Sequence, residues 1–298
     1  MKKALLIANP KAGQRSPERR HEALQRFCAL MEARGVNLEV ETTAGPRDAT
    51  RLAAEAARNG YREVIVSGGD GTINEALQGL VGTGVRLAIW PRGTANVLGH
   101  ELRLPRQLER LADVIAGGNV TRAHVARVTI ESTSEHRHFL LMAGIGIDAA
   151  IVDRVRPGLK KRVGKAAFWY AGLENFARWR PQSFLLEIDG VRHSATFAAL
   201  GKTPRYGGNL AITPRARLDQ PYFEICLIPS VHRLKYLKLL PFAMFGGIPE
   251  SMKGVSFLRA STARATGDGV LVQIDGELIG SLPMTFTVTP HVIEVVSP

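Results

Sequence analysis

Along its first 121 residues the chain alternates short apolar runs with amphipathic stretches, the pattern of strand and helix units wound on a parallel sheet. The spacing predicts strands at 4–8, 36–42, 62–67 and 86–90. Ser16-Pro17-Glu18 reads as a helix start, a capping hydroxyl followed by proline at the first helical position. Ala23, Phe27, Leu30 and Met31 then mark one apolar face that ends at Gly35. A second helix is expected from about Asp48, with Leu52, Ala53, Ala56 and Ala57 on one side and a stop at Asn59-Gly60. Near residue 122 the texture changes. The runs HVARVTIE, HFLLMAGIG, SFLLEIDG, TFAAL, YFEICLI, VLVQIDGEL and MTFTVTP read as strands, interrupted by helical segments near 163–178 and 231–245. A boundary after Gly117-Gly118-Asn119 gives an α/β domain over 1–121 and a β-rich domain over 122–298. No fixed-period repeat or low-complexity linker interrupts this order.

Length and composition agree with two cores. A chain of 298 residues with 45% apolar content can bury two modest ones, which excludes disordered and fibrous classes. Its 39 basic against 27 acidic residues give a charge of +12, which attracts polyanions: nucleic acid, nucleoside triphosphates or an anionic lipid surface. Cys28 and Cys226 are too few for a disulfide framework or a zinc knuckle, so a reducing cytosol is the economical reading. Met1-Lys2-Lys3 before Ala4-Leu5-Leu6-Ile7-Ala8 imitates a secretion signal. The apolar run stops at Asn9-Pro10-Lys11, short of the roughly 7–15 residues such a signal needs, and reads as a first strand. No stretch approaches the roughly 20 apolar residues of a membrane span.

The candidate chemistry begins at VSGGDGTIN, residues 66–74. In a parallel sheet, ligands gather beyond the carboxyl ends of the strands, where this cluster stands. Glycines there let backbone N–H groups approach phosphate oxygens, and a following helix N-terminus adds partial positive charge. Asp70 inside such a turn points to a cation such as Mg²⁺, or to a base for a nucleophilic hydroxyl. The plainer alternative is that Asp70 or Thr72 caps the helix. Two competing phosphate motifs fail on spacing. Gly201-Lys202-Thr203 ends like a Walker loop, but Thr196 stands where its first glycine is required. Gly144-Ile145-Gly146-Ile147-Asp148-Ala149 has the dinucleotide glycines, yet Lys165 to Trp169 occupy the place of the expected acid.

Asn9-Pro10-Lys11-Ala12-Gly13, Gly68-Gly69-Asp70-Gly71-Thr72, Pro91-Arg92-Gly93-Thr94-Ala95-Asn96 and Ile274-Asp275-Gly276-Glu277 occur in one order across nearly the whole chain. Together they resemble the diacylglycerol kinase catalytic-domain family, specifically its soluble bacterial lipid kinases, relatives of sphingosine and ceramide kinases. The GGDGT element is shared with NAD kinases and phosphofructokinases; the Gly-Thr-x-Asn element and the late Asp-Gly-Glu favour the lipid kinases. The resemblance implies a phosphofructokinase- or NAD-kinase-like α/β domain, a β-rich sandwich-like second domain, and an active site in the cleft between them. It implies ATP as phosphate donor, held by Asn9, Thr43, Ser67, Gly68, Gly69, Asp70, Gly71, Thr72, Ile73, Thr94 and Asn96, with Mg²⁺ on Asp70. It implies Glu277 as the catalytic residue. Each element also has a bland reading, Asn9-Pro10 as a strand-ending turn and Asp275-Gly276 as a two-residue hairpin. Two departures stand out. Many members have an acid directly after Gly-Thr-x-Asn, where this chain has Val97. Members commonly carry Asp-Asp-Gly where this chain reads Asp219-Gln220-Pro221, a region that in some relatives holds a structural Mg²⁺.

In this reading the amides of 68–72 hold phosphates, Lys11, Arg15 or Arg92 offset their charge, and either Glu277 or Asp70 takes the acceptor's proton, depending on which reaches it. The expected acceptor is the hydroxyl of a lipid alcohol of phospholipid metabolism, diacylglycerol or a related lipid. Residues 160–180, with Phe168, Trp169, Leu173, Phe176 and Trp179 among lysines and arginines, read first as a helix packed on the β-sheet; with 233–245, which carry Lys235, Lys238 and Pro241, they also offer a basic apolar surface for transient membrane contact. The expected enzyme is cytoplasmic, peripherally membrane-associated and free of nucleic acid, with a homodimer left open. The alternatives are a kinase of a soluble acceptor and a non-catalytic polyanion binder; the second lacks any recognised nucleic-acid motif.

Overall fold

A computed structural model describes residues 2–13, 16–146, 181–206, 210–232 and 234–298. Arg15, the helical segment near 163–178 with its aromatic residues, Ile147 to Ala149 and the Lys235 side chain lie outside the described residues. The chain divides into two compact units, one of residues Met1–Val125 with Pro290–Pro298, the other of Ala126–Thr289.

The first unit runs β1 (Lys2–Ala8), α1 (Pro17–Glu32), β2 (Val36–Thr42), α2 (Asp48–Arg58), β3 (Glu63–Gly68), α3 (Asp70–Leu80), β4 (Arg86–Pro91), α4 (Val97–Glu101) and α5 (Leu108–Gly117). The strands pair in parallel in the order β2-β1-β3-β4. Each expected strand is present: β1, β3 and β4 carry apolar runs that a parallel sheet covered on both faces can bury, whereas β2, at the sheet's end, alternates apolar and polar residues and buries only Val36. Ser16 caps α1 by accepting from Arg19 N, and Phe27 and Met31 are fully buried. Phe27 stacks on Trp90 of β4 at 4.5 Å, in a core that α1 and α5 share with Leu6, Ile65 and Ala88. Helices α2 and α3 pack so closely that a Cβ on Gly79 would lie 2.4 Å from Thr50 O. That contact fixes α3, and with it the glycine turn at its start.

The second unit carries β5 (Val120–Ile130), which begins in the first, then β6 (His136–Phe139), β7 (Met142–Gly146), β8 (Phe184–Ile188), β9 (Val191–Ala195), β10 (Phe197–Gly201), β11 (Arg205–Tyr206), β12 (Leu210–Ala211) and β13 (Phe223–Ile228). They are followed by α6 (Leu234–Met244), β14 (Ser256–Ala260), β15 (Thr262–Thr266), β16 (Leu271–Ile274), β17 (Glu277–Ser281) and β18 (Met284–Val296). One antiparallel sheet is ordered β14-β13-β10-β7-β16-β17; in another, β15 lies between β18 and β8, with β9 beyond. Phe139, Phe184, Phe223, Val272 and Phe286 belong to one core between these layers, so the unit is a sandwich. On its other face the first sheet packs Met142, Phe197 and Cys226 against Leu239 and Ala243 of α6. The end of β18 returns to the first unit, where Val295 pairs in parallel with Leu87 of β4.

Candidate active site

At the carboxyl ends of β1, β3 and β4 three loops are tied together. Asn9 donates from its backbone to Ser67 O at 2.9 Å and from Nδ2 to Thr72 Oγ1 at 2.9 Å, while its Oδ1 accepts from Lys11 N. Thr43 N donates to Ala8 O, which sets it beside Asn9. Arg92 N donates to Gly68 O at 2.7 Å, and the Arg92 guanidinium lies over the Trp90 ring. The two glycine loops meet back to back. A Cβ on Gly93 would sit 2.6 Å from Gly69 Cα, which leaves no room for a side chain, and one on Gly69 would sit 3.2 Å from Gly93 Cα and crowd the facing backbone. Asn96, in the left-handed conformation at φ 49°, closes the second loop by accepting from Gly93 N and donating to Gly93 O. Thr94 is exposed at its tip.

The resulting surface suits an anion. Helix α3 starts at Asp70 with glycine at its cap and no side-chain acceptor there, so its first-turn N–H groups present the positive end of the helix dipole. Gly71 is exposed on that turn. Ser67 is buried, and Ile73 turns into the core with its amide already donating to Gly69 O. These residues of the sequence reading therefore gather in one place, Ser67 and Ile73 by backbone rather than exposed side chain.

Asp70 has a task that its own neighbours do not announce. Its carboxylate accepts from Val97 N at 3.1 Å and Leu98 N at 3.3 Å, capping α4 rather than its own helix. Burial pushes its carboxyl pKa up, and the Val97 and Leu98 amides pull it back. Asp70 thus joins the glycine turn to the second loop. Each of its oxygens retains a lone pair, so the residue fits one position on a phosphate-bound Mg²⁺, an ion that commonly takes only one or two protein carboxylates. Among the described residues no three His, Cys, Asp or Glu side chains cluster as a metal site by themselves. Asp70→Asn is expected to leave one of two buried amides facing an NH₂ group, at a cost of about 1–3 kcal/mol. Melting temperature should therefore fall by several degrees with neither Mg²⁺ nor nucleotide present, at roughly 2–4 °C per kcal/mol. An unchanged melting temperature in a metal-free calorimetric scan would refute this structural role.

In the second unit, Glu277 is the first residue of β17. The hairpin before it turns through Asp275 and Gly276, both at positive φ (49° and 86°), as a tight two-residue turn requires. Asp275 does more than turn. Its carboxylate accepts from the amides of Leu140, Leu141 and Met142 at 2.9–3.1 Å, and buried Gln273 accepts from Gly276 N at 2.7 Å. The hairpin is thereby clamped to the start of β7. The Glu277 side chain, 51% exposed, pairs with Arg137 at 3.2 Å. Sequence reasoning missed Arg137, since a lone arginine between two histidines carries no motif.

A family model of the diacylglycerol kinase catalytic domain matches residues 3–128, and one of the YegS C-terminal NAD kinase beta sandwich-like domain matches residues 141–297. A diacylglycerol kinase of Mycobacterium tuberculosis is 32% identical over 301 residues, spanning 99% of this chain and 95% of that protein. One from Staphylococcus saprophyticus is 28% identical, spanning 100% and 96%. The crystal structure of a diacylglycerol kinase from Bacillus anthracis superposes with a TM-score of 0.78 at 23% identity, covering 100% of this chain and 97% of that one, a likeness of fold alone.

Proposed function

We propose a donor, an acceptor and a base for this chain, which belongs to the diacylglycerol kinase family and is a lipid kinase. The donor is ATP, bound by the first unit; the acceptor is the free hydroxyl of diacylglycerol or a similar lipid alcohol, served by the second. The observation that carries the nucleotide assignment is the contact of Gly69 with Gly93, which lays two backbone loops side by side at the start of α3. Phosphoryl transfer needs little covalent help from a protein. It needs the phosphates held in line and their charge neutralised. The amides of 68–72 hold the phosphates, Asp70 would supply one carboxylate to a Mg²⁺, and Lys11 and Arg92 lie on neighbouring loops to offset charge. Mg²⁺, when bound, shields the phosphate oxygens. Glu277 accepts the proton of the lipid hydroxyl as its oxygen bonds to phosphorus and ADP departs.

Labelled ATP given with a lipid extract is expected to leave its terminal phosphate in an organic-soluble product, phosphatidic acid where diacylglycerol is the acceptor. Label confined to water-soluble products would refute the lipid acceptor in favour of a soluble one.

The enzyme must reach an acceptor embedded in a bilayer, and no described helix is long and apolar enough to cross one. We assign the docking surface to the end of α6, where Phe242, Met244 and Phe245 are exposed, Phe245 by 83%, with Lys238 exposed on the same helix. Such an apolar tip with basic neighbours suits a cytoplasmic enzyme that binds an anionic surface reversibly. Phe242→Ser with Phe245→Ser is expected to weaken pelleting with anionic vesicles roughly tenfold or more, since a buried phenyl is worth about 1.5–3 kcal/mol. Rising salt should weaken the wild type as well. Equal pelleting of variant and wild type would move the docking surface elsewhere.

A further inference from the structure

The buried ammonium of Lys202 is unused by the chemistry above. Lys202 follows β10 and is 0% exposed. Its Nζ donates to the backbone carbonyls of Arg217 at 3.4 Å, Tyr222 at 3.2 Å and Gln220, three acceptors for the three protons of an ammonium. The loop that offers these carbonyls, 213–222, is tied to the same strand end. Thr213 Oγ1 donates to Thr203 O at 2.9 Å, and a Cβ on Gly201 would lie 2.0 Å from Thr213 Oγ1. Asp219, whose charge acts on Lys202, is engaged by Arg217 through two bonds of 2.9 and 2.7 Å. Removal from water pushes the Lys202 pKa down to about 8, against a smaller upward pull from Asp219.

Converging carbonyls that carry no side-chain charge form a cradle for a cation, and here the cation belongs to the chain. We propose that Lys202 supplies in cis the positive charge that organises loop 213–222, in the place where the family resemblance suggests a structural Mg²⁺, so that this loop folds without a metal. A divalent ion does not fit beside it. The Lys202 ammonium already occupies the point on which the carbonyls converge, the two residues after Asp219 are Gln220 and Pro221, and the Arg217 guanidinium and Lys202 ammonium would repel it.

The cradle also bears on Glu277. Lys202 N and Thr203 N both donate to Leu141 O, and Leu141 N donates to the Asp275 carboxylate that clamps the Glu277 hairpin. The ammonium ties loop 213–222 to the strand end that supplies these two amides, so Lys202 is a positioning residue for that hairpin, a part of the proposal that rests on reading Glu277 as the base.

The test is thermal unfolding of the full chain without nucleotide, in EDTA and in millimolar Mg²⁺. For the wild type the two melting temperatures should agree, because an ion bound only to the folded state would raise stability by mass action. Lys202→Met should melt about 5–10 °C lower, with three buried carbonyls left without a donor. Its kcat should fall while the KM for ATP stays near wild type. A wild type that loses several degrees in EDTA and regains them with Mg²⁺ would overturn the proposal, and so would Lys202→Met melting with the wild type. The wild-type comparison decides alone if Lys202→Met does not fold. A lowered melting temperature with unchanged kcat would overturn only the link to Glu277. These melting measurements hold whether or not the acceptor is a lipid.

Discussion

Glu277→Gln is expected to lower turnover by roughly 10²–10⁴, with ATP affinity and melting temperature close to wild type. Glutamine has the size of glutamate and still accepts from Arg137, but it cannot take a proton. The backbone under it does not depend on the side chain, because Asp275 and Gln273 make the bonds that fix the hairpin. The ion pair lost is half exposed, worth about 0–1 kcal/mol, so stability hardly registers the change. The two candidate bases differ in surroundings. Asp70 has both oxygens bonded to buried amides, whereas Glu277 is itself exposed and holds one partner, Arg137. A proton acceptor must be free to approach the hydroxyl, which favours Glu277. Pre-steady-state turnover on folded protein checks the expectation. Near-normal turnover would remove Glu277 from the chemistry and leave Asp70 as the base.

Much of this arrangement is legible locally. β1, β3 and β4 of the first unit contain apolar runs, the start of α1 is written in Ser16-Pro17, and the glycine turn stands where the apolar run of β3 ends. What the sequence conceals depends on residues far apart. Nothing near Asp70 says that its carboxylate will meet amides 27 and 28 positions on; that depends on the turn Asn96 makes. Asp275 reads as half of a hairpin turn, and so it is, but its three amide partners lie more than 130 positions earlier. Strands such as Thr262–Thr266, TARAT, escape notice because each buried position holds only an alanine. In the sequence Lys202 stands out only as part of a failed Walker loop. Its actual signal is a lysine directly after the apolar run TFAALG, where a charge must find partners or not be buried.

Gly71 provides the sharpest test of the nucleotide site, because the protein itself has no need of glycine there. A Cβ at this position meets nothing within 4 Å among the described residues, and its backbone is helical, not left-handed. Glycine inside a helix costs about 0.5–1 kcal/mol relative to alanine. The fold should therefore gain slightly from Gly71→Ala. If phosphates sit on the first turn of α3, however, a side chain on Gly71 projects from the same exposed surface and holds them off the amides. Gly71→Ala is expected to keep or raise the melting temperature while weakening ATP binding roughly tenfold. Gly71→Val, with two further methyl groups, should cost on the order of 10²–10³, as two or so charge-assisted hydrogen bonds are lost. The contrast with Gly69 is informative. Gly69 faces Gly93 Cα at 3.2 Å, so a substitution there disturbs fold and binding together. Calorimetric titration of ATP with a parallel melt separates the cases. Wild-type ATP affinity in folded Gly71→Val would place the phosphates away from the start of α3.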